Sequence, residues 1–485
     1  MTEFSNYLEN FMKEKDISMA TLARETNVDR AAMYRYVKGT RIPSEIGIVK
    51  KIADVLQMSV RERGKLLEEY DKLILGEEMV YSYQYVQNFL SRLVQVPEKD
   101  EMMWERWKLV WKQDKTGSVI RLGSKQEIAN YIFHVFEYII QKNRTEEEVY
   151  MVMQPIYPEL QQFLLNVFAN SSIKVEQIIC LEQSLRYSYK NLKIFQEILP
   201  LYFHISGYEV YSYYDSAESH VNNMCFMPNI IILFNQVIQF DYEMQCGAVV
   251  CDENYAGIMK KRYEDLRKET VCMVKKGGAL STFTENLVGY KKGLMVKMLM
   301  QQPCMAKCIG RKFLEEHIYS MDGKKQYVNA LVDAHGDWEG KIYQDGKIDA
   351  SIAVCYGNVN GVEQFIRDGR IREFPSGLYS AFSLEERKII MQRMIVLIKD
   401  KKIYWRVIRE KVYIPEEVSI LFTETETGKE IVFTYVFEND IRQVSITEQS
   451  FYRTWMLYYE YLEKKGWVYS EEESLNYLER VLEQL

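Results

Sequence analysis

No stretch of the 485-residue sequence comes near the roughly twenty uninterrupted apolar residues that a membrane-spanning helix needs. The amino terminus also lacks a basic flank leading into an apolar run, so a cytoplasmic protein with no membrane partner is expected. Proline is scarce, 9 residues against 36 Tyr and 21 Phe, which argues for packed elements over long irregular linkers. Histidine is scarcer still: five residues, at positions 134, 204, 220, 317 and 335, leave few imidazoles to serve as bases or ligands. The His-Glu-x-x-His and Gly-x-Ser-x-Gly signatures are missing, and the stretch from Gly336 to Lys341 has the wrong glycine spacing for a phosphate loop and runs into Ile342. The eight cysteines fall without paired spacings, as reduced and mostly buried thiols do. No catalytic residue, cofactor or metal is therefore expected.

What is present is the balance of a globular protein, 47% hydrophobic and 27% charged, on a chain long enough for roughly three domains. The net charge of -7 excludes a protein that coats nucleic acid with its whole surface. It is unevenly spread, however: residues 1–75 carry 13 Lys or Arg against 12 Asp or Glu, which leaves 49 against 57 in the remainder. Between Arg30 and Lys51 stand six basic residues and one acid, Glu45, so a local positive patch lies inside the first 75 residues.

That segment reads as five short helices. Phe4, Tyr7, Leu8, Phe11 and Met12 share one face of a helix ending near Lys15. Ser18 caps a second helix through Thr26 with Leu22 and Ala23 inward, and Asn27 makes a turn over Val28. Asp29 caps a third helix, Arg30 to Lys38, with Met33 and Val37 inward and Gly39 as its left-handed stop. Pro43 and Ser44 are expected to open a fourth helix that buries Ile48, Val49, Ile52, Ala53 and Leu56, with a fifth after Ser59.

The spacing from Leu22-Ala23 through Val28, Met33, Val37, Gly39 and Pro43 to Ile52-Ala53 and Leu56 resembles the Cro/C1-type (XRE) helix-turn-helix family. The resemblance covers only about residues 1–75. It implies a third helix set in the major groove of double-stranded DNA, with Arg30, Ala31, Tyr34 and Arg35 at the base edges. Arginine pairs with guanine O6 and N7, and alanine can meet a thymine methyl. Lys38 and Arg41 are placed for phosphates, as are Ser18 and Met19 at the start of the second helix. The family often has glutamine where this chain has Met19; the backbone amides there can still hold a phosphate.

The fold expected overall is multidomain α+β: an all-α five-helix module at 1–75, a helical connector at 76–118, an α/β sensor or effector domain at 119–375, and an α+β region at 376–485. The connector bears Tyr81, Tyr85, Phe89, Leu93, Trp104, Trp107 and Trp111, a stripe read as core with dimerisation as the minority use. A capping box at Ser124 and Glu127 opens a helix. Runs at 149–153, 173–181, 210–213, 230–234 and 248–251 then read as strands between helical stretches near 159–169, 189–200 and 254–268. Residues 277–320 read as helices. A capped helix from Ser383 follows, then three antiparallel strands at 404–413, 418–423 and 431–437, and two closing helices. No repeat of fixed period stands out.

Three other groups invite a chemical reading. Cys304 and Cys308 have the i, i+4 spacing of one helix face and, with His317 nine residues on, suit a metal or an oxidation sensor, although two small core residues are the simpler account. His335 and Asp337 fit a turn better than a base and its carboxylate. Tyr202, Tyr208, Tyr211, Tyr213 and Tyr214 suit either a ligand pocket or a half-buried strand. The expected function is a dimeric, sequence-specific transcriptional regulator whose large carboxy-terminal part dimerises and receives a small-molecule or peptide signal. The alternative is a DNA-placed effector or interaction component, as in phage defence, whose carboxy-terminal body carries the activity.

Overall fold

The computed structural model describes residues 2–93, 118–141, 147–169, 171, 173–183, 188–215, 227–277, 294–305, 308–309, 311–320, 324, 328–329, 354–401, 403–409, 412–425 and 428–485. Trp104, Trp107, Trp111, His335 and Asp337 lie outside them. The chain divides into two compact units: Met1–Val86 with Thr454–Gly466, and Gln87–Arg453 with Trp467–Leu485.

The first unit is helical because each of its short segments is punctuated by a cap. α1 (Glu3–Glu14) starts in a box in which Thr2 and Ser5 satisfy each other's amides. α2 (Met19–Thr26) is capped by Ser18 and ends at Asn27 in the left-handed conformation. α3 (Arg30–Val37) is held at its start by the Asp29 carboxylate, which accepts from the Ala31 and Ala32 amides at 3.0 Å. α4 (Ile46–Val55) begins two residues later than Pro43 and Ser44 imply, with Glu45 at the cap position and no side-chain hydrogen bond. Pro43 is diverted to the interior, where its carbonyl accepts from Tyr70 Oη at 3.0 Å. α5 (Val60–Leu75) carries a Ser59–Glu62 capping box, and α6 (Glu77–Leu93) follows Gly76. Phe4, Leu8, Leu22, Met33, Val37, Val49, Ile52 and Leu66 form the common core. Gly39, at φ +70°, is forced twice: by its backbone, and by Ser5, whose Oγ would lie 2.7 Å from an added Cβ.

Residues 454–466 complete this unit from the far end of the sequence. Tyr83 of α6 stacks on Tyr461 at 4.5 Å and on Tyr458 at 6.0 Å between ring centres. Buried Asp71 of α5 takes both its oxygens to Lys465 Nζ at 2.8 Å and accepts from Tyr461 Oη at 3.3 Å.

Among the described residues the second unit holds two seven-stranded mixed sheets. The first has the order β1-β7-β6-β5-β2-β3-β4, from β1 (Val119–Leu122), β2 (Glu148–Val152), β3 (Lys174–Glu182), β4 (Tyr208–Asp215), β5 (Asn229–Leu233), β6 (Gln236–Phe240) and β7 (Gly247–Cys251). β2, β3 and β4 run parallel, joined through helices Pro158–Phe168 and Tyr189–His204. β3 is buried along nearly its whole length because helices cover both faces of a parallel sheet. β5 returns antiparallel beside β2, and β6 and β7 continue as a meander that ends against β1.

The second sheet has the order β11-β10-β9-β12-β13-β14-β8, from β8 (Val274–Gly277), β9 (Leu294–Leu299), β10 (Val354–Asn358), β11 (Tyr404–Ile408), β12 (Val418–Thr425), β13 (Gly428–Val436) and β14 (Ile441–Ile446). Adding seven to each strand number of the first sheet yields the second. Three parallel strands are followed by an antiparallel meander, and the meander closes on the strand that opens the set. A helix with an acidic cap follows each meander: Asp252 before Glu253–Lys268, and Glu448 before Gln449–Lys464. The body is thus one topology used twice.

Three sequence expectations differ from the structure. Among the described residues of 277–320, β9 stands where helix was expected, and the α-helix there is Arg311–His317. β11 is not antiparallel, since it lies parallel to β10; a run of β-formers does not name its partner. The boundary expected at 375/376 falls inside one hydrogen-bonded sheet, with β8 to β10 before it and β11 to β14 after.

Removing one half of a buried ion pair strands the other charge. Lys465→Met is expected to lower the unfolding free energy by about 3 kcal/mol, with Asp71→Asn recovering part of that loss in the double variant. Denaturant titration of the full-length proteins checks both, and additive losses would show that the pair does not act as one.

Candidate nucleic-acid interface

An eight-residue helix is too short to persist alone, so α3 exists because Met33, Tyr36 and Val37 are buried. At about 100° per residue, that anchoring turns Ala31, Tyr34 and Arg35 away from the core, while Arg30, seven residues before Val37 and so nearly in line with it, is exposed because it opens the helix. All four are exposed, and Tyr34 keeps 54% of its area in solvent despite its apolar ring. Arg41, just past Gly39, is exposed as well. Among the described residues Arg30, Arg35 and Arg41 have no carboxylate partner, which leaves three guanidinium groups available on α3 and its exit. The turn into α3 is built by Asn27 in the left-handed region and by Val28, whose amide donates to the Ala23 carbonyl at 3.0 Å.

At the start of α2, Ser18 is exposed, but its hydroxyl is taken up locally: Oγ accepts from the Thr21 amide at 3.1 Å and lies 2.9 Å from Thr21 Oγ1. Met19 packs partly against the core. Any anion there would meet the unpaired first-turn amides rather than the Met19 side chain. Lys38 departs from expectation in its surroundings: its Nζ lies 3.0 Å from Glu9 Oε1 of α1. Sequence reasoning missed Glu9 because its partner is 29 residues away and only the packing of α1 on the exit of α3 brings them together.

This geometry agrees with a sequence comparison, in which residues 7–62 match the model of the Cro/C1-type HTH DNA-binding domain. The segment is a Cro/C1-type helix-turn-helix domain. Outside it, comparison is uninformative: no curated protein matches the sequence. Three solved structures have weak likeness to the chain. TrmBL2, an archaeal chromatin protein described as having a novel mode of DNA binding, has a TM-score of 0.23 and 10% identity over 53% of this chain and 88% of that one. Phosphatidylserine synthase from Haemophilus influenzae Rd KW20 has a TM-score of 0.21 and 9% identity over 76% and 92%. Polyphosphate kinase from Porphyromonas gingivalis has 0.22 and 8% over 69% and 45%. Scores this low say nothing of what the second unit does.

The other candidate groups are structural in their surroundings. Cys308 is buried in the core beside the second sheet, and His317 is engaged elsewhere: its Nδ1 is 3.0 Å from both the hydroxyl and the carbonyl oxygen of Ser380, and its Nε2 is 2.8 Å from Glu386 Oε1. Both ring nitrogens are used, and the ring packs on Phe382 at 4.3 Å, so the trio clasps residue 380 to the start of helix Leu384–Lys399. Among the described residues no three His, Cys, Asp or Glu side chains gather as metal ligands would. The tyrosines of 202–214 do not converge on a pocket. Tyr202 and Tyr208 are buried and hydrogen-bonded to Val210 and Gln177, Tyr211 meets Arg267, and Tyr214 reaches Glu448.

Burial raises the Glu386 pKa, but hydrogen bonds from His317 and Ser383 outweigh it and bring the carboxyl down to about 2. A folded-state pKa below the ordinary 4.5 means a stabilisation complete above that value and lost as pH falls toward about 2. His317→Ala is expected to cost about 1–2 kcal/mol at neutral pH, with the gap to wild type closing on acidification through that window. Denaturant titrations across it provide the check, and a gap independent of pH would exclude the clasp as its source.

Proposed function

We propose that this protein is a sequence-specific, double-stranded-DNA-binding transcriptional regulator, acting as a homodimer, in which α3 reads base edges. The observation that carries the reading is the exposed surface of α3, where Arg30 and Arg35 stand without carboxylate partners beside Ala31 and Tyr34. A unit used only for packing or docking has no need of unpaired arginines on the exposed side of an eight-residue helix. In this reading Arg30 and Arg35 pair with guanines, Ala31 and Tyr34 meet base edges, and Arg41 with the amides at Ser18 and Met19 fixes the register on phosphates. The body from residue 119 onward, including the regions 119–375 and 376–485, serves dimerisation and receives a small-molecule or peptide signal, which shifts the population between DNA-competent and incompetent dimers.

The test is selection of bound sites from random duplex DNA at fixed salt, with the full-length protein beside an Arg30→Ala, Arg35→Ala variant. One motif with two half-sites is expected for the wild type. Each lost arginine should cost roughly 1–3 kcal/mol of discrimination at its own base pair. No motif, or a variant of equal selectivity, would sink the reading and move attention to an effector role for the body.

A further inference from the structure

Lys13, Glu9 and Ser5 follow one another at four-residue spacing along α1, which places them on one face, and that face meets the exit of α3. Ser5 sits against Gly39, and Glu9 lies between two ammonium groups, 3.0 Å from Lys38 Nζ and 3.4 Å from Lys13 Nζ. The Lys13 side chain is 71% exposed and that of Lys38 38%, so both cations border solvent. The cluster carries two positive charges and one negative where α1, bearing Lys13 and Glu9, meets Lys38 at the exit of α3. Two lysines converging on one anionic oxygen are the donor set that a backbone phosphate takes, since carboxylate and phosphate both offer charged oxygen acceptors to N–H groups.

We propose that Lys13 and Lys38 form a phosphate anchor gated by Glu9: in the free protein the carboxylate holds the place between the ammonium groups that a DNA phosphate takes on binding. This rests on the DNA-binding reading and adds Lys13 and Glu9 to it. Exchange of one anion for the other moves no proton and breaks no covalent bond. Hydrogen bonds from Lys38 and Lys13 hold the Glu9 carboxyl below its usual range, so it is ionised and competes with phosphate throughout the physiological range. Glu9 thus makes binding weaker and less salt-dependent than the count of basic residues implies. It also spares the free protein two uncompensated cations against α1.

The test uses full-length protein and a fluorescent mixed-sequence duplex, titrated over a range of salt. Glu9→Gln keeps the shape and removes the charge; it is expected to tighten binding roughly three- to tenfold near physiological salt. The slope of log K against log salt should steepen by about one phosphate's worth. Adding Lys13→Met or Lys38→Met to Glu9→Gln should return both quantities toward wild type. Glu9→Ala should act in the same direction, which guards against an effect peculiar to glutamine. The anchor is overturned if Glu9→Gln binds equally or more weakly, or if its gain survives loss of either lysine. Because phosphate contacts are blind to sequence, the two proposals fail separately: selection without a motif but with a Glu9 effect removes base reading and keeps the anchor, and a motif with no Glu9 effect does the reverse.

Discussion

Burial of Met33, Tyr36 and Val37 decides the rotation of α3, and everything at the DNA-facing surface follows from that rotation. A helix of two turns gains too few internal hydrogen bonds to offset the ordering of its backbone, so it takes its orientation from the core it packs against. A turn of 100° about its axis would bring different residues to the surface. The left-handed Asn27 and the Asp29 carboxylate set where the helix starts, and Gly39 against Ser5 sets where it stops. Recognition chemistry in this protein is thus an output of hydrophobic packing and capping, with the arginines as passengers whose direction the core has chosen.

Charge is then apportioned around that scaffold. The first 75 residues are nearly neutral by count, yet Arg30 and Arg35 stand on α3 without a carboxylate partner, while Arg24 and Arg63 pair with Glu25 and Asp54, Lys38 and Lys13 share Glu9, and Lys72 sits between Glu68 and Glu69. The arginines and lysines of this surface therefore differ in kind: the guanidinium groups of Arg30, Arg35 and Arg41 stand open to solvent, and the ammonium groups of Lys13 and Lys38 are held by Glu9. The rest of the chain is acidic, which discourages non-specific wrapping of DNA and leaves contact to the small basic surface.

The body presents one strand topology twice, a duplication invisible in the sequence. The repeated features are hydrogen-bond partners and crossovers, and many side-chain sets satisfy the same ladder. The two closing helices show how far equivalent pieces can diverge. Glu253–Lys268 packs on the first sheet through Ala256 and Tyr263, whereas residues 454–464 of its counterpart belong with the amino-terminal helices, secured by Asp71, Lys465 and the Tyr83 stack. A buried ion pair made by residues 394 apart ties the end of the sequence into the folding of its beginning.

What the sequence determined by itself was whatever depends on near neighbours. The caps at Ser18, Asp29 and Ser383, the turn at Asn27, the inward faces of α1 to α4 and, apart from β6, the helix-strand alternation from 125 to 268 were legible. Each is a contest between a side chain and a backbone group within one turn, or a period of 3.6 or 2 against a single apolar phase. Pro43 was misread because its role lies with Tyr70, and β9 because a short apolar run suits helix or strand until a sheet accepts it. Tertiary structure alone decided that β11 lies parallel to β10, that seven strands recur in the same order, that His317 serves Ser380 and Glu386 rather than Cys304 and Cys308, and that Glu9 faces Lys38. The physical reason is common to all four: a pairing across tens or hundreds of residues is selected by the packing of the whole core, and no local preference at either partner records which one it will meet.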